Sequence, residues 1–265
     1  MSEPADGGHV LDVDEIGTDA ESADERTRMS FLDHLDELRK RILYSLYALV
    51  LCCAVTLYFW EPMFVYLAKY FQAQGGQLIF SRPMGAFLFS MKIGVLSGLF
   101  VASPFVFSQV WLFVAPGLYA REKRMVVPFV LFSSILFGAG AAFGHFVAFP
   151  AMWQFFASYD GLGGIKFLQN IDDTFTLYWS VLLGLGLVFQ MPLLVFFLAR
   201  FGMVTAGFLL KHIKYAVLII FVAAAVITPS GDIVTLMIFA APMLGLYAVS
   251  IAVAWLFGKK RMREA

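Results

Sequence analysis

The chain holds 265 residues, 60% of them hydrophobic and 14% charged, with a mean hydropathy of +0.80 and a formal net charge of zero. A soluble domain of this length does not tolerate so apolar a composition, and the absence of a basic excess argues against a nucleic-acid partner. The apolar runs are continuous rather than alternating in segments of about 10 residues, which excludes a transmembrane β-barrel and leaves an all-α polytopic membrane protein.

In chain order, residues 1–28 come first and differ from everything after them. They carry nine acids, no base before Arg26 and no aromatic residue. Such a stretch has too little apolar surface to fold and reads as a disordered acidic tail. The sequence "MSFLDHLDELRKR" follows, where Ser30 and Asp33 fit a capping box. Phe31, Leu35, Leu38 and Ile42 then recur at helical spacing, which predicts an amphipathic helix from Ser30 leading into the first span. Glu37 falls on its polar side, four residues before Arg41, at the spacing of an intrahelical ion pair.

Membrane spans are predicted at roughly 42–60, 86–112, 126–149, 175–199, 213–228 and 233–257, by the criterion of about 20 apolar residues per crossing. The membrane domain is therefore set at residues 29–258, with a basic tail at 259–265. The fifth span is the shortest. Lys and Arg are distributed unevenly: five precede the first span, three lie between the second and third, three between the fourth and fifth, and four follow the sixth. These are fifteen of the nineteen, so the positive-inside rule places both termini in the cytoplasm. No cleavable signal peptide is expected, because the first apolar run is long and starts about forty residues in.

Within the first span, Cys52 and Cys53 are adjacent and have no metal-ligand spacing, so they are read as packing residues. Gly94 with Gly98 and Gly140 with Gly144 are small-xxx-small pairs that permit close helix approach. The second loop, "FVAPGLYAREKRMVVPFV", places Glu122 among Arg121, Lys123 and Arg124. A lone acid there is either a locally paired surface charge or a presented carboxylate. His145 is expected to be satisfied by a backbone carbonyl, and Gln190 to hydrogen-bond within the bundle or to a partner helix. Asp160, Asp172, Asp173 and Asp232 are read as solvated loop and cap residues, too sparse for a calcium site.

Several segments together resemble one family. They are "HLDELRKR", "ASPFVFSQVWLFVAPGLYAREKR", "VVPF", "FQMPLL", "ITPSGD" and "APM", in order and at suitable spacing. The sequence from Met29 onward is similar to TatC, the core subunit of the twin-arginine protein translocase. The resemblance implies six transmembrane helices with both termini inside, in the cytoplasmic (inner) membrane. It also implies a receptor for Arg-Arg signal peptides of folded precursors, driven by the proton-motive force, with no catalysis and no cofactor. Glu37, Phe113 and Glu122 occupy the signal-peptide-binding positions. Gln190, Thr228 and Thr235 occupy positions implied to contact TatA-type and TatB-type single-helix proteins, and further TatC copies and membrane lipid are expected as partners. Two departures stand out: many members carry a glutamate where this chain has Gln190, and a glutamine often stands at Leu236.

The physical case for a glutamate is independent of the resemblance, since a guanidinium fits a carboxylate bidentately and an ammonium does not. The alternative, a secondary transporter of a small solute, calls for internal repeats and a midplane site, and no repeat is present. An intramembrane enzyme calls for a nucleophile, base or metal constellation. The deep polar inventory is Gln190, His145 and scattered hydroxyls.

Overall fold

The computed structural model describes residues 13–74, 77–114, 126–160, 168–227 and 232–258, with side chains considered from His34 onward. In chain order it contains α1 (Val13–Tyr58), α2 (Trp60–Ala73), β1 (Gln77–Ile79) and α3 (Gly85–Val114). Next come α4 (Val126–Phe143), a π-helical turn (Gly144–Ala148), α5 (Phe149–Ala157) and β2 (Leu168–Asn170). The chain continues with α6 (Ile171–Val188), α7 (Met191–Arg200), α8 (Ala206–Lys211), α9 (Ile213–Ile227) and α10 (Ile233–Phe257).

Among the described residues, five helical stretches are long and apolar enough to cross a membrane: His34–Tyr58, Gly85–Phe113, Val127–Ala157, Ile171–Arg200 and Ile233–Phe257. A sixth apolar helix, α9, has only 15 residues. The protein is thus a predominantly helical polytopic membrane protein in which the fifth crossing of the sequence reading is a short helix. The end of the bundle that carries His34, Phe113, Val127, Arg200 and Phe257 is called proximal below, and the opposite end distal.

The helix expected to start at Ser30 begins at Val13 and runs without a break into the first span. Ser30 and Asp33 therefore lie inside a helix and not at its start. The preceding sequence allows this, since Ala20, Glu21, Ala23 and Glu25 are helix-compatible residues.

Glycine decides how closely the first crossings pack. A Cβ at Gly98 would stand 2.6 Å from Cys53 Cα, and one at Gly94 2.4 Å from Leu57 Cδ2, so α1 and α3 meet nearly backbone to backbone. The Thr56 hydroxyl exploits that approach, donating to the Gly94 carbonyl at 2.7 Å, with the Cys52 carbonyl of its own helix an alternative acceptor at 2.9 Å. Gly140 plays the same part between α4 and α6, where a Cβ would lie 2.6 Å from the Leu185 carbonyl oxygen. The small-residue pairs are used as the sequence suggested.

The core is concentrated toward the distal end. Phe71 of α2, Phe89 and Ile93 of α3, Phe149, Met152 and Trp153 of α5, Phe175 and Tyr178 of α6 and Phe239 of α10 form one buried cluster. Several of its aromatic rings meet edge to face, as between Phe89 and Phe175 at 4.9 Å and Phe71 and Tyr178 at 5.4 Å. A second, much smaller cluster of Val195, Ala199 and Ala254 sits toward the proximal end. The bundle is tightly filled at one end and more open at the other.

Polar residues fasten the distal rim. Asn170 caps α6 by accepting from the Asp172 amide at 3.2 Å, and Asp232 caps α10 by accepting from the Thr235 amide at 2.7 Å. Lys92 on α3 donates to Asp172 at 2.6 Å. β1 and β2 add a parallel pair that matches Gln77 to Leu168 and Ile79 to Asn170.

Candidate functional site

At the proximal end, α1 and α3 carry Glu37 and Phe113, two of the three residues expected to read a signal peptide. His34 stacks on Phe113 with centroids 4.6 Å apart and planes inclined by 24°. Glu37 follows His34 by three residues and so lies on the same helix face, one turn deeper into the span. Gln109 precedes Phe113 by four residues and is one turn deeper in the same way.

Arg41 joins the two helices there. One guanidinium nitrogen donates to Glu37 Oε1 at 3.2 Å and another to Gln109 Oε1 at 3.3 Å. The Glu37–Arg41 pair anticipated from spacing is present, with the two side chains 31% and 27% exposed. Gln109 itself is buried at 7% exposure. The result is a half-buried carboxylate with an internal guanidinium already on it, beside an aromatic stack. Glu37 and Phe113 were singled out from the sequence; His34 and Gln109, which contact Phe113 and Arg41 here, were not. The signal was available, because each lies one helical turn from an identified residue. Glu122 and Thr228 lie outside the described residues.

A second polar node sits deeper. The fourth crossing breaks at Phe189 and Gln190, where α6 ends and α7 restarts with Pro192 in its first turn. Gln190 Nε2 donates to the Ser133 carbonyl of α4 at 2.8 Å. The Ser133 hydroxyl, 1% exposed, accepts from Trp111 Nε1 of α3 at 2.7 Å. Ser133 thus links three crossings through its two oxygens, a role that nothing in its sequence context announces. Gln190 remains partly exposed. Thr235 is enclosed at 0% exposure, and its hydroxyl has no hydrogen-bond partner among the described residues.

His145 is the third node, and here the expectation is corrected. Its ring nitrogens meet tyrosine hydroxyls instead of a backbone carbonyl: Nδ1 lies 2.9 Å from Tyr178 and Nε2 3.3 Å from Tyr66. The His145 carbonyl accepts from Tyr70 at 2.5 Å, and the Tyr70 ring stacks on the imidazole at 4.2 Å. The π-helical turn explains this, because a wider turn displaces backbone carbonyls from their α-helical partners and frees one for a side chain. Burial, and secondarily neighbouring Tyr66, pushes the Tyr70 hydroxyl up to about 12, so it stays a neutral donor. The arrangement clamps α2 to the third and fourth crossings. No group of three or more metal-ligating side chains occurs among the described residues.

Comparison with known proteins adds the family context. Residues 33–242 match the family model of the Sec-independent protein translocase protein TatC. A TatC from Koribacter versatilis is 40% identical over 242 residues, spanning 89% of each chain. One from Desulforapulum autotrophicum is 38% identical over 240 residues, spanning 89% of this chain and 88% of its own. The fold superimposes on a crystal structure described as the twin-arginine translocase receptor TatC, with a TM-score of 0.75 and 31% identity over 83% of this chain and 97% of that one.

Proposed function

The chain belongs to the TatC family, as a multi-pass inner-membrane component of a protein translocase and not an enzyme, and from that premise we propose that it is the signal-peptide receptor and assembly core of its translocase. In this reading the proximal face is cytoplasmic, with both termini on that side. It binds the Arg-Arg signal peptides of folded precursors through Glu37, Phe113 and Glu122. It recruits TatA-type and TatB-type single-helix proteins, and further TatC copies, for transport driven by the proton-motive force.

The observation that carries the reading is the His34–Phe113 stack, which seats Phe113, at the end of α3, on the residue one helical turn before Glu37. The pair of Arg41 with Glu37 supports it chemically, since this carboxylate already accepts a guanidinium in the unliganded protein. A signal-peptide arginine takes the same position by exchange, and a lysine loses the planar fork. Glu122 supplies the second carboxylate for the second arginine.

Gln190 supplies the partner-helix contact, because it is a partly exposed amide at a break in the fourth crossing. Thr228 and Thr235 belong to the same proposed contact. The enclosed hydroxyl of Thr235 reaches a partner only if α10 shifts.

The test is site-specific photocrosslinking to an Arg-Arg signal peptide in native membranes from probes at Phe113 and at Glu122. Adducts from both positions, lost when the two arginines are replaced by lysines, are expected. Adducts that persist unchanged with Lys-Lys peptides reduce the site to a general electrostatic patch, and no adducts at either position refute the receptor assignment.

A further inference from the structure

His145, Tyr66, Tyr70 and Tyr178 form a titratable cluster in the distal half of the bundle, at the opposite end from the Glu37–Phe113 face. Burial decides which ring nitrogen carries the proton. Tyr178 is 5% exposed and its hydroxyl meets Nδ1 at 2.9 Å, whereas Tyr66, whose hydroxyl lies 3.3 Å from Nε2, is 58% exposed. If Tyr178 accepted from Nδ1, its own O–H would be buried without its acceptor, while the Tyr66 O–H has access to solvent in either role. Tyr178 therefore donates to Nδ1, and Nε2–H donates to Tyr66.

This pair of bonds needs a neutral ring. An imidazolium has two donors and no acceptor, so a proton on Nδ1 takes away the only partner that the buried Tyr178 O–H has among the described residues. The surroundings offer the cation no counter-charge. From α2 come Tyr66 and Tyr70, with exposed Glu61 and Lys69 beside Tyr66 on the outer surface of that helix. Tyr178 faces the ring from α6, Phe100 from α3, Ala141 and Ala142 from α4 and Phe146 from the π-helical turn, and Phe149 of α5 packs against Tyr70. None of the side chains bonded to or stacked on the imidazole is an acid. The face of Tyr70 attracts a cation, but one ring does not replace the water that solvates a free imidazolium, and departure of α2 lets that water in.

We propose that His145 is a proton-binding latch: the neutral ring holds α2 against the third and fourth crossings, and a proton taken up from the distal aqueous side releases α2. The proton adds to the Nδ1 lone pair from hydronium, leaving water, and no other covalent bond changes. The half-buried ring is reached through the cleft beside Tyr66 and Phe146. Because the released form binds the proton more tightly than the latched form, latching is strongest at neutral pH and weakens as pH falls. In the orientation of the receptor reading, the distal side is the proton-rich side of an energised membrane, so the latch loosens where the proton-motive force acts. Only that last step rests on the receptor reading.

Hydrogen exchange of the full chain in detergent, measured at pH 7.5 and pH 5.0 and corrected for the intrinsic pH dependence of exchange, tests the latch without reference to signal peptides. A released imidazole titrates at about 6.5, so the ratio of released to latched α2 rises by up to about thirtyfold between these pH values. A loss of α2 protection of at least about tenfold is expected at pH 5.0, with α10 unchanged. His145→Gln, a neutral side chain with a donor and an acceptor, removes the pH effect, and His145→Asn serves if the first variant fails to fold. Tyr70→Phe, which loses the bond to the His145 carbonyl, lowers α2 protection at both pH values and keeps their ratio. Protection of α2 that is constant or higher at pH 5.0 overturns the proposal, as does a pH effect that persists in the neutral variants. Equal loss in α2 and α10, or unchanged protection in Tyr70→Phe, overturns it as well.

Discussion

Arg41 reaches Gln109 across 68 residues of sequence while holding Glu37 one turn back on its own helix, so a single guanidinium ties the first crossing to the second at the face proposed to bind signal peptides. An exposed or half-exposed pair of this kind is worth about 0–1 kcal/mol, small enough for an incoming arginine to displace. Arg41→Gln is therefore expected to raise affinity for an Arg-Arg peptide by up to about fivefold. Glu37→Gln is expected to lower it. Peptide titration by fluorescence anisotropy checks both, and a loss of affinity in Arg41→Gln makes Arg41 a positioning group for the site.

Glu122 carries the second half of the charge prediction. Glu122→Lys abolishes precursor binding, whereas Glu122→Asp retains part of it, because the shorter acid still offers two oxygens to a guanidinium. Crosslinking yield in native membranes measures this, with membrane insertion followed in parallel to confirm that both variants are assembled.

Gln190 acts as a donor, and this sets an order among its replacements. Gln190→Leu loses the bond to the Ser133 carbonyl and is expected to cost about 0.6–1.7 kcal/mol in detergent unfolding. An ionised Gln190→Glu turns a donor into an acceptor facing a carbonyl, so it is tolerated only when protonated. Assembly with a TatA-type protein weakens in the Leu variant while signal-peptide binding survives. Normal assembly assigns Gln190 wholly to the intramolecular network.

Gly98 and Gly138 form a matched pair of probes. An added methyl at Gly98 meets the α1 backbone, whereas at Gly138 nothing lies within 4 Å. Gly98→Ala is expected to destabilise by about 1–3 kcal/mol, through separation of α1 from α3. Gly138→Ala is expected to be neutral or to stabilise by up to about 1 kcal/mol. Thermal unfolding in detergent distinguishes them.

The short helix α9 gives a length prediction. Its 15 residues make about 22 Å, against a hydrocarbon core of about 30 Å. The deficit is met by local bilayer thinning or by covering the helix ends. Insertions of three and of four Leu within residues 216–226 separate length from rotation. Both are expected to bind signal peptide normally and to export poorly, as read by precursor appearance outside the inner membrane.

Much of this architecture was legible in the sequence because bilayer thickness imposes a length on each crossing. The runs ending near Leu112, Ala199 and Phe257 correspond to helices ending at Val114, Arg200 and Phe257. The glycine pairs were legible for a related reason, as close approach demands small residues. The Ser133 node was not, since a serine inside an apolar helix is ordinarily bonded to its own backbone, as Ser134 is. Nor was α2, an amphipathic segment whose burial depends on where Phe71 meets Phe149 and Tyr178. His145 was misread because its partners lie 33 and 79 residues away, beyond any local pattern.

The π-helical turn at Gly144–Ala148 carries a consequence for how the third crossing tolerates change. An extra residue in one turn shifts the phase of everything beyond it by about 100° relative to an unbroken α-helix. The two halves of the crossing are thereby keyed separately: α4 faces α6 through Gly140, and α5 presents Phe149 and Trp153 to the distal core. Deleting one residue in this turn would straighten the helix and swing those two rings out of their sockets. Point substitutions in either half leave the other half's orientation intact, so the crossing behaves as two independently adjustable segments joined by a fixed angular offset.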